Sequence, residues 1–187
     1  MLKVAFLDRD GTLIKDSGYT FRIDDLMWVP DAIAGLSFLV SLGYKIIVIT
    51  NQSGIARGYY TEREMKAFHQ FMNGDLKNKA GITIEKFYHC PHHPEGKIKQ
   101  YRLSCNCRKP GGELFKKAIL DFSITMKESI VIGNNVTDII PAINQGINKG
   151  FLLYNNCNDQ HLENDLSNIM IVNNWFEIIK NINNIPL

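Results

Sequence analysis

The sequence predicts an α/β protein built on a doubly wound, mainly parallel, Rossmann-like sheet. Short apolar runs alternate with helical patterns along the chain, the signature of strands joined by helical crossovers. Runs such as Val4 to Leu7 and Lys45 to Thr50 are continuous rather than alternating, as in strands covered on both faces. Small polar clusters follow the first, second and fourth strands, and in such sheets ligands gather at the carboxyl ends of strands. A chain of 187 residues suits one domain, 1–187, large enough to bury its own core.

Taken in order, Val4 to Leu7 is a buried strand that delivers Asp8 and Asp10 into a turn marked by Gly11. Residues 14 to 29 show no period and, with Tyr19, Phe21 and Trp28, read as an ordered flap beside that strand end. Asp31 is expected to cap an apolar helix from Ala32 to Leu42, closed by Gly43. The second strand, Lys45 to Thr50, runs into Thr50-Asn51-Gln52-Ser53-Gly54. Thr61 and Glu64 have capping-box spacing and open a helix reaching about Ala80, with Gly81 as its stop. Ile84 to His89 is the third strand, and a cysteine-rich loop fills residues 90 to 107. A helix from about Gly112 to Phe122 leads to a fourth strand, Ser129 to Ile132, and then to Gly133-Asn134-Asn135-Val136-Thr137-Asp138. Gly150 to Tyr154 and Ile169 to Val172 complete the strands, and a last helix spans Trp175 to Ile182. His89 is expected at a strand end. His69 and His161 are expected as solvated helix residues without partners.

A formal net charge of +2, with Lys and Arg dispersed, argues against a nucleic-acid or membrane surface. No apolar run approaches the ~20 residues of a membrane span, and the first residues lack signal-peptide regions, so a cytoplasmic protein is expected. Three of the four cysteines, Cys90, Cys105 and Cys107, crowd one segment with His92. Cys157 stands apart as a bystander. Cys90-x-His92, twelve residues, then Cys105-x-Cys107 supplies three thiolates and an imidazole, a tetrahedral set suited to structural zinc. Spacing alone does not choose between His92 and His93.

Two carboxylates two residues apart repel each other unless a cation binds or one carries a proton. Hydroxyls and backbone N–H groups at a strand-to-helix turn bind anions, Lys109 supplies a point charge, and oxygen ligands suit magnesium. Together they describe a phosphate site with a metal. One carboxylate could attack phosphorus while the other moves a proton. No Walker-type loop is present, which argues against a nucleotide-driven kinase.

Asp8-Arg9-Asp10-Gly11-Thr12, Thr50-Asn51, Lys109 and the Gly133-to-Asp138 turn resemble the four signature motifs of the haloacid dehalogenase superfamily of phosphatases. FLDRDGTL, TNQSGIARG, CPHHPEG and CNCRKP, in that order, are similar to the branch acting on heptose 1,7-bisphosphate, with histidinol-phosphate phosphatases next. The resemblance runs from about residue 3 to residue 153. It implies Asp8 as nucleophile, Asp10 as general acid and base, and Lys109 as the cation neutralising Asp8 and the phosphoryl group. It implies phosphate contacts from Thr50 and Asn51 and substrate contacts from Ser53, Arg57 and Arg108. Magnesium would be held by Asp8, the Asp10 carbonyl oxygen and the fourth motif, here Asn134 or Asp138. For zinc it favours Cys90, His92, Cys105 and Cys107, in a loop that, with the short flap, replaces a large cap.

The chain departs from the family pattern in two places. The fourth motif has Asn134 and Asn135 where the family has Asp and Lys, which predicts weaker magnesium binding and leaves a zinc-stabilised binding module as the non-enzymatic alternative. Gly111-Gly112 after Pro110 predicts a looser turn around Lys109. The expected partner is a small phosphorylated sugar, bound by a monomer, with no nucleic acid or membrane.

Overall fold

The computed structural model describes residues 1–153 and 167–183. Six strands, β1 (Val4–Leu7), β2 (Lys45–Asn51), β3 (Lys86–Cys90), β4 (Ile130–Gly133), β5 (Lys149–Leu153) and β6 (Ile169–Val172), form one sheet in the order β3-β2-β1-β4-β5-β6. Every neighbouring pair is parallel. The order reverses direction at β1, so the crevice beyond its carboxyl end is the switch point where such sheets bind ligands.

Alternate residues of each strand feed opposite layers, as a period of two requires. Ala5, Leu7, Ile46, Val48, Ile130 and Ile132 face one core with α1 (Ala32–Ser41), α3 (Glu62–Ala80) and α6 (Trp175–Asn183). Val4, Phe6, Ile47, Ile49 and Val131 face the other, under α4 (Glu113–Phe122) and α5 (Val136–Ile143). Both faces are covered, which is why the strands read as unbroken apolar runs. Between β2 and α3 lies a single turn of helix, α2 (Gly54–Arg57), too short to leave a sequence period.

Trp175 ties the end of the described chain to the site. It is fully buried, and its indole N–H donates to the Thr12 carbonyl at 2.9 Å. Gly35 makes room for it, since a Cβ there would lie 2.2 Å from the ring.

Element boundaries shift from the sequence expectation by one or two residues, the ordinary scatter at element ends. Two local expectations are corrected. Asp31 sits in the left-handed region at the start of α1 and makes no side-chain cap bond. At position 69 the structure buries the imidazole, because α3 turns Met65, Phe68, His69, Met72 and Leu76 inward together. His89 is half-buried and also partnered, with Nε2 3.4 Å from Glu62. The Thr61 and Glu64 capping box is present. Tyr154, Cys157 and His161 lie outside the described residues.

Candidate active site

Asp8 is the first residue past β1, held there because its N–H continues the sheet ladder to the Ile132 carbonyl at 3.0 Å. Its carboxylate is buried and receives Lys109 Nζ at 2.6 Å. The same ammonium lies 2.7 Å from Asp138 Oδ1 and donates to the Ile49 carbonyl at 2.7 Å, so all three of its donors are used. Burial raises the Asp8 carboxyl to about 7; Lys109 opposes this, and the charges of Asp138 and Asp10 add to it. For Lys109, burial pulls the ammonium down, but Asp138 and Asp8 more than offset it and leave it raised.

Lys109 is positioned from β2. Asn51 Nδ2 donates to the Lys109 carbonyl at 3.1 Å, and the Lys109 N–H donates to Asn51 Oδ1 at 3.0 Å. Asn51 thus clamps the lysine backbone with its side chain, where the family pattern implies a phosphate contact. The cis Lys109-Pro110 bond and a Gly111 N–H to the Arg108 carbonyl at 2.6 Å complete a tight turn. A Cβ on Gly111 would lie 2.1 Å from the Asn106 carbonyl oxygen, so glycine is what the turn needs, contrary to the looseness expected there.

Asp10 stands at the mouth, a fifth exposed, with both oxygens restrained. Arg9 donates through Nη2 at 2.8 Å and through Nε at 3.1 Å, and Gln52 Nε2 donates to Oδ2 at 3.0 Å. Gln52 also donates to Thr50 Oγ1 at 2.8 Å and accepts from the Tyr60 hydroxyl at 2.6 Å. Arg9, Gln52 and Tyr60 carry no weight in the motifs, yet they fix the acid. The signal available was the Arg between two Asp, a cation that a buried acid pair requires.

In the fourth motif Asn135 caps α5: its N–H donates to Asp138 Oδ2 at 3.0 Å, and its side chain accepts from the Thr137 N–H at 2.9 Å. Both Asp138 oxygens are therefore engaged, by Lys109 and by this cap. Asn134 lies against the first motif, with Oδ1 3.4 Å from Thr12 Oγ1 and its amide filling the space above Gly11.

Ser53 precedes α2 and its hydroxyl makes no cap bond. Arg57, in the last turn of α2, has Nη2 3.1 Å from His93 Nε2, while His93 Nδ1 accepts from the Glu95 N–H. A neutral imidazole has one acceptor nitrogen, so it cannot serve both donors. Arg57 Nε and Arg108 Nη1 are the buried side-chain donors without a partner among the described residues. Burial lowers the His93 pKa, and the charges of both arginines lower it further.

Beyond β3, the sulfurs of Cys90, Cys105 and Cys107 lie 3.1 to 3.5 Å apart, with His92 Nδ1 3.3 Å from Cys107 Sγ. A tetrahedral zinc with ~2.3 Å bonds to sulfur sets ligand edges of about 3.8 Å. The cluster is slightly contracted from that, and its four ligand atoms all fall within 4.8 Å of one another. The group could hold a metal ion, and its imidazole is that of His92. Cys107 stands two residues before Lys109, so the same loop anchors the site.

A relative from Photorhabdus laumondii, D-glycero-alpha-D-manno-heptose-1,7-bisphosphate 7-phosphatase, is 39% identical over 179 residues, 96% of each chain. The chain belongs to this family of haloacid-dehalogenase-like phosphatases. A D-glycero-beta-D-manno-heptose-1,7-bisphosphate 7-phosphatase from Haemophilus ducreyi is 39% identical over 145 residues, 78% of this chain and 79% of that one. Residues 3–169 match the family model described as polynucleotide kinase 3 phosphatase. Among solved structures, a D,D-heptose 1,7-bisphosphate phosphatase from B. bronchiseptica, complexed with magnesium and phosphate, superposes with a TM-score of 0.79. It is 22% identical, covers 97% of this chain and 98% of its own, and supports the fold of this phosphatase family. No helix among the described residues is long and apolar enough to cross a membrane.

Proposed function

We propose that this phosphatase removes the 7-phosphate of D-glycero-D-manno-heptose 1,7-bisphosphate. The observation that carries the choice of a bisphosphate is the pair of orphaned guanidinium donors, Arg57 Nε and Arg108 Nη1, beside a lysine already committed to two carboxylates. A buried guanidinium N–H without an acceptor is costly, and a second phosphate would supply acceptors for one on each arginine. The names of the curated relatives give the same substrate. Histidinol phosphate, with one phosphate, leaves these donors without use.

In this reading Asp8 attacks the 7-phosphorus. A bond forms from its carboxylate oxygen as the bond to the sugar oxygen breaks, and Asp10 delivers a proton to that oxygen. Water then attacks phosphorus, Asp10 takes its proton, and the acyl phosphate returns Asp8 as a carboxylate. Lys109 holds positive charge against Asp8 and the transferring group throughout. Thr50 and Ser53, at and just past the carboxyl end of β2, are the hydroxyls that the family pattern assigns to phosphate and substrate.

A magnesium ion fits the donor set: three acids, Asp8, Asp10 and Asp138, face two cations, Lys109 and Arg9, and the neighbouring donors are oxygens. Asp8, the Asp10 carbonyl oxygen and Asn134 Oδ1 would hold it, because Asp138 is spent on Lys109 and the cap. When bound it offsets charge that would keep a dianionic phosphate from the aspartates. Zinc in the Cys90, His92, Cys105 and Cys107 cluster would be structural, with no open position, and reduced thiols suit a cytoplasmic protein.

Phosphate release from the heptose bisphosphate, histidinol phosphate and a 3′-phosphorylated oligonucleotide tests the assignment. The bisphosphate should give the highest kcat/KM by at least about tenfold, and preference for either other substrate refutes it.

A further inference from the structure

The buried His69 on α3 lies outside the motifs, yet it touches the group that restrains Asp10. Arg9 has no exposed surface, and each of its three guanidinium nitrogens has a partner. Nε and Nη2 grip Asp10, Nη2 also donates to the Thr20 carbonyl of the flap at 2.7 Å, and Nη1 lies 3.0 Å from His69 Nε2. Arginine only donates, so His69 Nε2 carries the lone pair and its proton sits on Nδ1. The imidazole is itself locked, stacked on Phe87 of β3 with centroids 4.3 Å apart and planes 14° from parallel. Phe68 lies under the guanidinium, 5.1 Å from ring to carbon.

We infer that His69 is a positioning residue for the phosphatase reaction, holding Asp10 in register through Arg9. This rests on the reading of Asp10 as the proton carrier. A guanidinium is a rigid planar fork, so its donors cannot be reoriented one at a time. Removing the acceptor at Nη1 leaves a buried donor unpaired, and any rotation that satisfies it carries Nε and Nη2 away from Asp10. Burial holds the His69 pKa well below 6.5, with the charges of Arg9 and His89 acting the same way, so the ring stays a neutral acceptor at working pH. Misplacing a reacting group by about 1 Å costs up to ~100-fold in rate, so a tilt of Asp10 is large enough to measure.

The test compares the heptose bisphosphate with p-nitrophenyl phosphate, whose leaving group departs without a proton. His69→Leu should lower kcat/KM, which reports the chemistry up to departure of the leaving group, about tenfold on the sugar substrate and leave it within about twofold on p-nitrophenyl phosphate. His69→Gln, which keeps an acceptor, should restore most of the loss. Equal losses on the two substrates, or no loss on the sugar, would overturn the inference. Asp10→Asn must show the same selectivity in kcat/KM, because its loss as the base for water falls in the later step; if it lowers kcat/KM equally on both substrates, Asp10 does not protonate the leaving group, and the role of His69 falls with that reading. Wild-type protein gives a readout independent of any variant's folding: 15N spectra should show the Nδ1–H tautomer across pH 6 to 8, and an Nε2–H ring would refute the contact.

Discussion

Replacing Lys109 by Met removes a charge and three donors while keeping the length of the side chain. The ammonium it deletes touches Asp8 at 2.6 Å, Asp138 at 2.7 Å and the Ile49 carbonyl at 2.7 Å, and its side chain is 1% exposed. The two carboxylates are then left facing each other, each 9% exposed. Removing one partner of a buried ion pair costs about 3–5 kcal/mol, because the remaining charge has neither water nor a counter-ion. In a chain of this size that lowers Tm by roughly 6 to 20 °C. The loss should depend on pH. The Asp8 carboxyl, already raised to about 7 with the lysine in place, is protonated at pH 5, so the repulsion disappears and the deficit should shrink to that of lost hydrogen bonds, about 1–3 kcal/mol. Magnesium at a hundred times its Kd should restore about 2.7 kcal/mol at the higher pH. Urea unfolding of the zinc-loaded protein without added magnesium at pH 8 and pH 5 measures both deficits. A deficit under about 1 kcal/mol at pH 8, or one of equal size at both pH values, would refute the assignment of Lys109 as the shared counter-ion.

Three further outcomes are expected. Asn134→Asp places a carboxylate against the Gly11 turn and should lower the magnesium concentration for half-maximal rate about tenfold; an unchanged value would move the ligand role to Asp138. Stripping zinc should remove about one ion per chain, unfold residues 90 to 107 and abolish activity through the Lys109 turn, whereas metal-free protein with full activity would refute a structural zinc. Asp8, raised to about 7 from an ordinary 3.8, gives the magnesium-free fold stability that is complete below about 4 and is lost as pH rises through 7. Denaturation midpoints of the zinc-loaded protein, taken without magnesium across that window, should therefore fall with rising pH in wild type and stay flatter in Asp8→Asn.

The parts of the site written in one stretch of chain were legible in the sequence. Strand ends and acids are local, so Asp8, Asp10 and the cysteine loop could be located from periodicity and spacing, and the parallel sheet then gathers Thr50, Lys109 and Asp138 at one edge. What connects them was not legible, since it depends on contacts 42 to 122 residues apart, such as Gln52 to Asp10, Asn51 to Lys109 and Asn134 to Thr12. Asn135 illustrates the difficulty: by motif it is a missing lysine, and in space it is a helix cap. Position 69 was within reach, because Met65, His69, Met72 and Leu76 share one helical face, but a polar residue on an apolar stripe declares its burial only once Arg9 is known to need an acceptor.

The nucleophile is the point on which the catalytic reading turns. During turnover of the heptose bisphosphate, borohydride should reduce an acyl phosphate on Asp8 to homoserine, read by peptide mass spectrometry at position 8. The mark should be absent from Asp8→Asn, which should also release no phosphate. Turnover that leaves Asp8 unmodified, or phosphate release by Asp8→Asn at the wild-type rate, would contradict attack by Asp8.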